Sequence, residues 1–378
     1  MFNSESMRVH DDQPEKRKRG QGKGSNFFLL GHDVWDRLLT AKTDNRLNLI
    51  IAYLVLLAGT GSNQRLTKWS AKACEDHTGL GKPRAKHAIE ELIAANLVKR
   101  TDSSTRLMPQ YELPELPADA EPIFLPVALV TGLGNETPIL RRVRETGDPM
   151  LLIMLIDLYA LVDTDATHGV PIKNLREGAA DTTTSSRKIA DVGAHAVWAL
   201  TRGSSRQAQG PWCSRHHVKV KDNTAAWRDF WNRLDLLKQI GAIWYEPWVF
   251  DGQGLDAEPL MPVDPTGFYA VANADDEAKL TRLAFDASRA LITEERAYLF
   301  DRNAADFFLP LTLHRQPPAL WSIARLRVEA DSPGRRLAWK RRRVLVEQHL
   351  QGFGQLLVDA EASRFNQPMR VGSMARTN

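Results

Sequence analysis

Hydrophobic and polar positions follow a helical period in the stretch that begins at Lys82. Pro83 suits the first turn of such a helix, where a backbone N–H has no helical partner. A shorter helix capped by Thr67 is predicted before it, and the residues from Thr78 to Gly81 suit a tight turn between the two. One face of the second helix carries the apolar positions Ala85, Ala88, Ile89, Leu92, Ile93 and Leu97. The pattern therefore predicts two helices joined by a turn.

A different pattern follows this helix. Leu97 to Thr101 is predicted to be a strand, Asp102 to Thr105 a polar turn, and Arg106 to Leu113 a returning strand. Upstream, Asp44 to Ala58 is apolar on nearly every side, which is typical of a helix buried in a core. The predicted order is one buried helix, two helices around a turn, and a hairpin.

The polar face of the second helix is cationic in its first two turns. Glu90 and Glu91 come only afterwards, so the positive charge is at the end of the helix that would enter a DNA groove. A solvated helix face is the alternative explanation of this charge pattern. The candidate DNA contacts in this region are Lys72, Lys82, Arg84, Lys86 and His87 on the helices, and Lys99, Arg100 and Arg106 beside the hairpin turn.

The ordered elements from Leu66 to Leu113 resemble the winged helix-turn-helix superfamily, most nearly its MarR-like and replication-initiator branches. The resemblance implies that the second helix presents side chains to the major groove of double-stranded DNA. Because one such helix contacts few base pairs, we also expect a homodimer. Some winged helices bind protein or RNA instead, so the class of partner stays open.

Residues 1–25 are polar, rich in glycine and without an apolar period, so a disordered basic tail is predicted. Its basic cluster consists of Lys16, Arg17, Lys18 and Arg19. In one interpretation this cluster only keeps the protein soluble, and in the other it lies along phosphates or in a minor groove. The first structured domain is predicted to span residues 26–118.

A short apolar segment followed by an apolar helix occurs twice in the chain. Phe27 to Leu30 precedes the first of these helices, and Ile123 to Pro126 precedes a second, from Leu151 to Leu161. A second winged-helix-like domain is therefore predicted over residues 121–258, with two unrelated helices as the alternative. The stretch from Trp227 to Trp248 within it is rich in aromatic residues, and its positive and negative charges are balanced. It therefore looks more like a dimer surface or a domain core than like a helix that reads a DNA groove.

Residues 259–378 are predicted to form a mainly helical C-terminal region. A helical pattern begins at Asp275, and alternating apolar positions from Leu320 to Val328 favour a strand. A basic helix begins at Arg335, whose charge is explained by a solvated face, by phosphate contacts or by a membrane surface. Its candidate phosphate contacts are Arg341 and Arg342.

Composition sets wider bounds. With 378 residues, of which 43% are hydrophobic, the chain can bury two or three cores. The formal net charge is only +4, so the placement of the cations matters more than their excess. Cys74 and Cys213 are the only cysteines, which argues against a disulfide framework. Since no uninterrupted apolar run reaches about 18 residues, we expect a cytoplasmic protein with no membrane partner.

Motifs for catalysis are weak. The glycines of Gly59 to Ser62 lack the lysine of a phosphate-binding loop. Cys213, His216 and His217 have no second ligand pair at a spacing typical of zinc sites. We therefore expect no enzyme activity, no cofactor and no metal.

Together these patterns predict a mainly α fold with small β-wings, an α+β arrangement of tandem winged-helix domains plus a helical C-terminal region. The expected function is sequence-specific binding of double-stranded DNA by a transcriptional regulator. A replication initiator of a plasmid or integrated mobile element is the alternative, because initiators with two winged helices share this layout. A metal-dependent DNA-processing enzyme and a scaffold for protein contacts are the remaining classes.

Overall fold

The structure is a computed structural model in which helices and antiparallel strands alternate, so the α+β class is confirmed. It describes residues 26–105, 107–162, 167–175, 185–201, 224–252, 254, 256–264, 275–293, 296, 298, 300, 307–329 and 333–365.

The first part of the chain forms a helical unit with a small antiparallel sheet. In this sheet β4 is central, with β2 on one side and β3 on the other. The elements are β1 (Phe27–Leu30), α1 (His32–Thr40), α2 (Arg46–Ala58), β2 (Leu66–Thr67), α3 (Ala71–Thr78), α4 (Lys82–Ala94), β3 (Lys99–Arg100) and β4 (Tyr111–Glu112).

Local chemistry fixes the ends of these helices. The Asn45 side chain accepts a hydrogen bond from the Asn48 N–H at the start of α2, and Ser70 caps α3 in the same way. The expectation that Thr67 caps α3 was wrong, because Thr67 lies in β2 and pairs with Tyr111. Gly79 ends α3 with a φ of +69°, a left-handed conformation that glycine adopts without a steric penalty.

The remaining elements form a second unit with two further sheets. One sheet has the order β10-β9-β12-β6 and the other the order β11-β8-β7, and all of their pairings are antiparallel. The elements are β5 (Ile123–Pro126), α5 (Ala128–Thr131), α6 (Ile139–Thr146), α7 (Pro149–Ala160), β6 (Val170–Pro171), β7 (Ser185–Val192), β8 (His195–Thr201), α8 (Thr224–Gln239), β9 (Ile243–Phe250), β10 (Pro259–Pro262), α9 (Asp276–Leu291), β11 (Phe307–Thr312), β12 (Ala319–Leu326) and α10 (Pro333–Phe365).

This second unit contains more strand than the small wings that the sequence pattern predicts. The strand expected at Leu320 to Val328 is present as β12, but it pairs with β9 over eight residues and so crosses the predicted boundary at residue 258. β10 and β11 also lie in the region expected to be mainly helical. Long-range pairing of this kind leaves no local pattern, because the partner strands are separated by dozens of residues.

The two repeated apolar segments pair with each other. β1 and β5 are antiparallel, with Phe28 opposite Leu125 and Leu29 opposite Phe124. This register is symmetric about a local twofold axis. The axis relates each residue of β1 to the residue 96 positions later in β5. The helices behind these strands, α2 and α7, belong to one continuous hydrophobic core.

Candidate nucleic-acid interface

The helix α4 has the two faces that its sequence pattern predicts. Ala85, Ala88, Ile89 and Leu92 are buried against the core, while the cations alternate with them on the outside. The exposed basic residues of this helix are Lys82, Arg84, Lys86 and His87. A positive face therefore stands free of the packing that holds the helix in place.

Three of these basic residues differ from the fourth in their ion pairs. Within the described part of the chain, Lys82, Arg84 and Lys86 form no ion pair. Lys72 differs from them, because it pairs with Asp76 one turn later on α3, and this carboxylate raises the pKa of its ammonium group. His87 also has partners, with its Nε2 atom 3.1 Å from Asp44 Oδ2. Lysine and arginine side chains without internal partners are the ones that remain available for phosphate or base contacts.

The hairpin beside α4 has shorter strands than predicted and a hydrogen-bonded tip. Ser103 donates a hydrogen bond to the Gln110 side chain at 2.8 Å, and the Gln110 N–H donates to Ser104 Oγ at 3.0 Å. Lys99 and Arg100 are exposed on β3. Leu107 and Met108 at the tip are 93% and 71% exposed, so the hairpin ends in an uncovered apolar pair.

Arginines of α6 lie beside the turn between α3 and α4, a proximity that sequence reasoning missed. Arg144 donates from Nε to the Thr78 carbonyl oxygen at 2.6 Å, and the Arg141 guanidinium lies next to Gly79. α6 also buries Ile139, Leu140 and Val143, and its cations occupy the opposite side. Only this amphipathic pattern was available in the sequence, since more than sixty residues separate Thr78 from Arg144.

The basic helix α10 divides its cations between the surface and an internal network. Arg342 pairs with Glu246 of β9 and, at 2.5 Å, with Glu277 of α9. Its side chain is only 18% exposed, so the placement argues against the phosphate contact proposed from the sequence. Arg341 is exposed on the same helix.

The network around Glu246 joins four elements. Arg325 of β12, which is 2% exposed, also pairs with this carboxylate, and the Trp248 Nε1–H donates to it at 2.9 Å. Burial by itself would raise the pKa of Glu246, but Arg325 and Arg342 hold it below its ordinary value. These charges therefore fasten α10 onto the sheet and are not free to bind a ligand.

The aromatic stretch of the second unit is mainly core. Phe230 and Trp231 of α8 are buried, and so is Trp248 of β9. Trp248 was considered for the dimer surface, and its burial overturns that assignment. Trp244 is 43% exposed and stays a candidate. Arg233 of α8 pairs with Asp148 at 2.6 Å, so this cation differs from Lys82, Arg84 and Lys86 of α4.

Several predicted residues fall outside the described part of the chain. They are Lys16, Arg17, Lys18, Arg19 and Arg106, together with the weak metal-ligand candidates Cys213, His216 and His217.

Comparison with known proteins adds no family to this geometry. The chain matches no family model, no curated protein and no solved structure. Among the described residues, no helix is both long enough and apolar enough to cross a membrane.

Proposed function

We propose that this protein binds double-stranded DNA in a sequence-specific way and acts as a transcriptional regulator. The observation that carries the proposal is the set of exposed cations Lys82, Arg84 and Lys86 in the first turns of α4, which lie outside its buried apolar face and form no ion pair among the described residues. A helix with this division of faces can insert into a major groove while its other side stays packed on its own domain.

The order of elements supports a winged helix for the first unit. A strand precedes α3 and α4, a hairpin follows them, and the last strand, β4, is central in the sheet. In winged helices the second helix of the helical pair enters the groove, and the hairpin lies beside it. Lys99 and Arg100 are on that hairpin, where they would contact phosphate.

The second unit has the same strand order. β6 precedes α8, β9 follows it directly, and the last strand, β12, is central between them. The hairpin β7–β8 is inserted before α8, and β10, α9 and β11 are inserted before β12. This agreement supports the tandem arrangement, with α4 as the DNA-reading helix and the second unit devoted mainly to packing.

Selection of DNA from a pool of random duplexes tests the proposal. We expect the wild-type protein to enrich one sequence, and the triple variant Lys82→Ala, Arg84→Ala, Lys86→Ala to lose it. Each good contact to a base edge is worth about 1–3 kcal/mol, so the loss of affinity should exceed tenfold.

A matched control keeps this test specific. Lys188→Ala, Lys279→Ala and Arg282→Ala together remove the same charge from other exposed surfaces. This control should retain the selected sequence and nearly all of the affinity. Failure of the wild-type protein to enrich any duplex, or an equal loss in both triple variants, would refute sequence-specific binding through α4.

Replication initiation is a second candidate, and the internal repeat favours it. Two units paired through β1 and β5 in one chain match the layout of initiators with two winged helices. A plasmid without an origin, carrying the coding sequence and its flanking DNA, should then replicate in the native host. Replication should depend on the α4 cations. If the plasmid is never maintained although the protein still binds DNA, replication initiation is excluded and transcriptional regulation is the function that remains.

We also propose that the protein binds DNA as a homodimer, since one α4 helix spans few base pairs. The exposed Trp244 is the aromatic residue available for part of that contact. Sedimentation of the protein alone and with its selected duplex should give two chains per DNA site. A single chain at saturation would exclude the dimer.

A further inference from the structure

Three potential metal ligands converge where the loop before α2 meets α4. Asp44 lies in the loop, and His87 and Glu91 lie one turn apart on α4. The His87 Nε2 atom is 3.1 Å from Asp44 Oδ2 and 3.8 Å from Glu91 Oε1. One donor atom from each residue lies within 4.8 Å of the other two.

The Glu91 carboxylate is held in position by its surroundings. Thr43 Oγ1 donates to Glu91 Oε2 at 2.9 Å, and the Asp44 N–H donates to Glu91 Oε1 at 2.9 Å. The side chain of Glu91 is only 16% exposed. Each carboxylate oxygen has a second lone pair, so these hydrogen bonds orient the group without using its capacity to bind an ion.

A cleft of about 300 Å³ opens at the same place. It lies between the start of α2 and the first turns of α4, which leaves room for water or another small ligand beside His87 and Glu91. Its lining residues are Asn45, Asn48, Pro83, Arg84, His87, Ala88 and Glu91.

We propose that Asp44, His87 and Glu91 bind a divalent transition-metal ion of the Zn²⁺ class. Neighbouring ligands of a tetrahedral zinc ion at ordinary bond lengths are about 3.3 Å apart, close to the separations found here. The imidazole disfavours Mg²⁺ and Ca²⁺, which prefer oxygen ligands, and suits Zn²⁺, Co²⁺ or Ni²⁺. Three protein ligands leave a fourth coordination position for water.

The site would join the DNA-facing helix to the loop before α2. Without an ion, the site holds two negative charges, and Glu91, which carries one of them, lines the same cleft as Arg84. A bound dication cancels them, so, resting on the proposed function, the ion should strengthen DNA binding. Two unit charges near the phosphates should raise the affinity by roughly 3- to 10-fold at low salt.

Titration of the full-length protein, without a histidine tag, with Co²⁺ tests the site directly. We expect one equivalent of Co²⁺ to produce the visible absorption bands of a nitrogen- and oxygen-ligated ion, and Zn²⁺ to displace it. His87→Gln and Asp44→Asn should both abolish the bands. Asp44 is 86% exposed, so its variant tests the ligand without risk to folding. His314→Gln, a change at another exposed histidine, should leave the bands intact.

Other outcomes would overturn the site. An intense near-ultraviolet band from a thiolate ligand would assign the ion to a cysteine instead. Bands that persist in both ligand variants, or no binding at all, would leave a hydrogen bond between His87 and Asp44 and nothing more.

DNA affinity measured with Zn²⁺ and with a chelator separates the site from the proposed function. Wild-type protein should bind its selected duplex more tightly with Zn²⁺, and Asp44→Asn should show no such gain. If Co²⁺ binds as expected but no duplex is ever selected, the DNA-binding function fails and the metal site stands. If DNA is selected but Co²⁺ does not bind, the metal site fails alone.

Discussion

Individual residues in this protein acquire their roles from their partners. Arg84 and Arg342 look alike in the sequence, each in a basic run at the start of a helix. The fold leaves Arg84 on an exposed face and places Arg342 between Glu246 and Glu277. A buried ion pair gives little net stability, but the loss of one partner leaves an uncompensated charge.

The variant Glu246→Gln should therefore be strongly destabilised. We expect its free energy of unfolding to fall by about 3–5 kcal/mol, because Arg325 stays buried without its counter-charge. Chemical denaturation measures the change. Glu347→Gln, an exposed change on α10, should cost less than about 0.5 kcal/mol. Equal stability of the two variants would contradict the network's role.

The same substitution predicts a dependence on pH. The pKa of Glu246 is lowered in the folded protein, so its stabilisation is present above the ordinary value of 4.5 and is lost as the pH falls through the folded-state pKa. The stability difference between wild type and Glu246→Gln should thus shrink in acid. Denaturation curves of both proteins at pH 7 and below pH 4 measure this stability difference. A difference that grows in acid would contradict a lowered pKa of Glu246 in the folded protein.

Elements depend on backbone positions that side-chain patterns only suggest. Gly79 has a positive φ in the turn that sets α4 against α3, whereas Gly352 lies in the exposed interior of α10. An added methyl group strains the backbone at residue 79, where φ is positive. At residue 352 it lowers the conformational entropy of the unfolded chain without straining the helix. The two glycines should therefore respond to the same substitution in opposite directions.

Gly79→Ala should lower the free energy of unfolding by about 1 kcal/mol, and Gly352→Ala should raise it by about 0.5–1 kcal/mol. The site of Gly352 is open, with no atom within 4 Å of an added Cβ. Urea midpoints of the two variants measure both effects. A shift of the same sign in both would show that φ at residue 79 does not limit the turn.

The whole molecule is more continuous than its sequence repeat suggests. One core cluster includes residues of α2 and α4 from the first unit and of α7 and α8 from the second. A separate cluster joins α9, α10, β8 and β11. The described residues are therefore organised around a core shared by both units, with further clusters in the second unit, and not as two independent repeats.

Leu125→Ala tests this continuity, because Leu125 is fully buried where β1 and β5 pair. The change should cost about 2–5 kcal/mol and reduce hydrogen-exchange protection in α2 and α7 together. Leu309→Ala, an equivalent change in the second core, should reduce protection in α9 and α10 first. Protection lost in α7 but retained in α2 would mean that the two units unfold independently.

The sequence by itself determined the local part of this description. The spacing of Ala85, Ala88, Ile89 and Leu92 predicted both the helix α4 and its buried face, because side chains on one helix face recur every three or four residues. The sequence also located the two repeated apolar segments, but it did not predict that they are the strands β1 and β5 or that they pair. These features depend on residues that are close together in the chain, so the sequence alone displays them.

Only the tertiary structure decided which charges are free and which strands pair. Arg342 and Glu246 are 96 residues apart, and β12 reaches β9 across an inserted helix and two inserted strands. Asp44 likewise meets His87 only because α2 and α4 pack together. Such contacts depend on folding distant segments onto one core, and no local period in a single sequence records them.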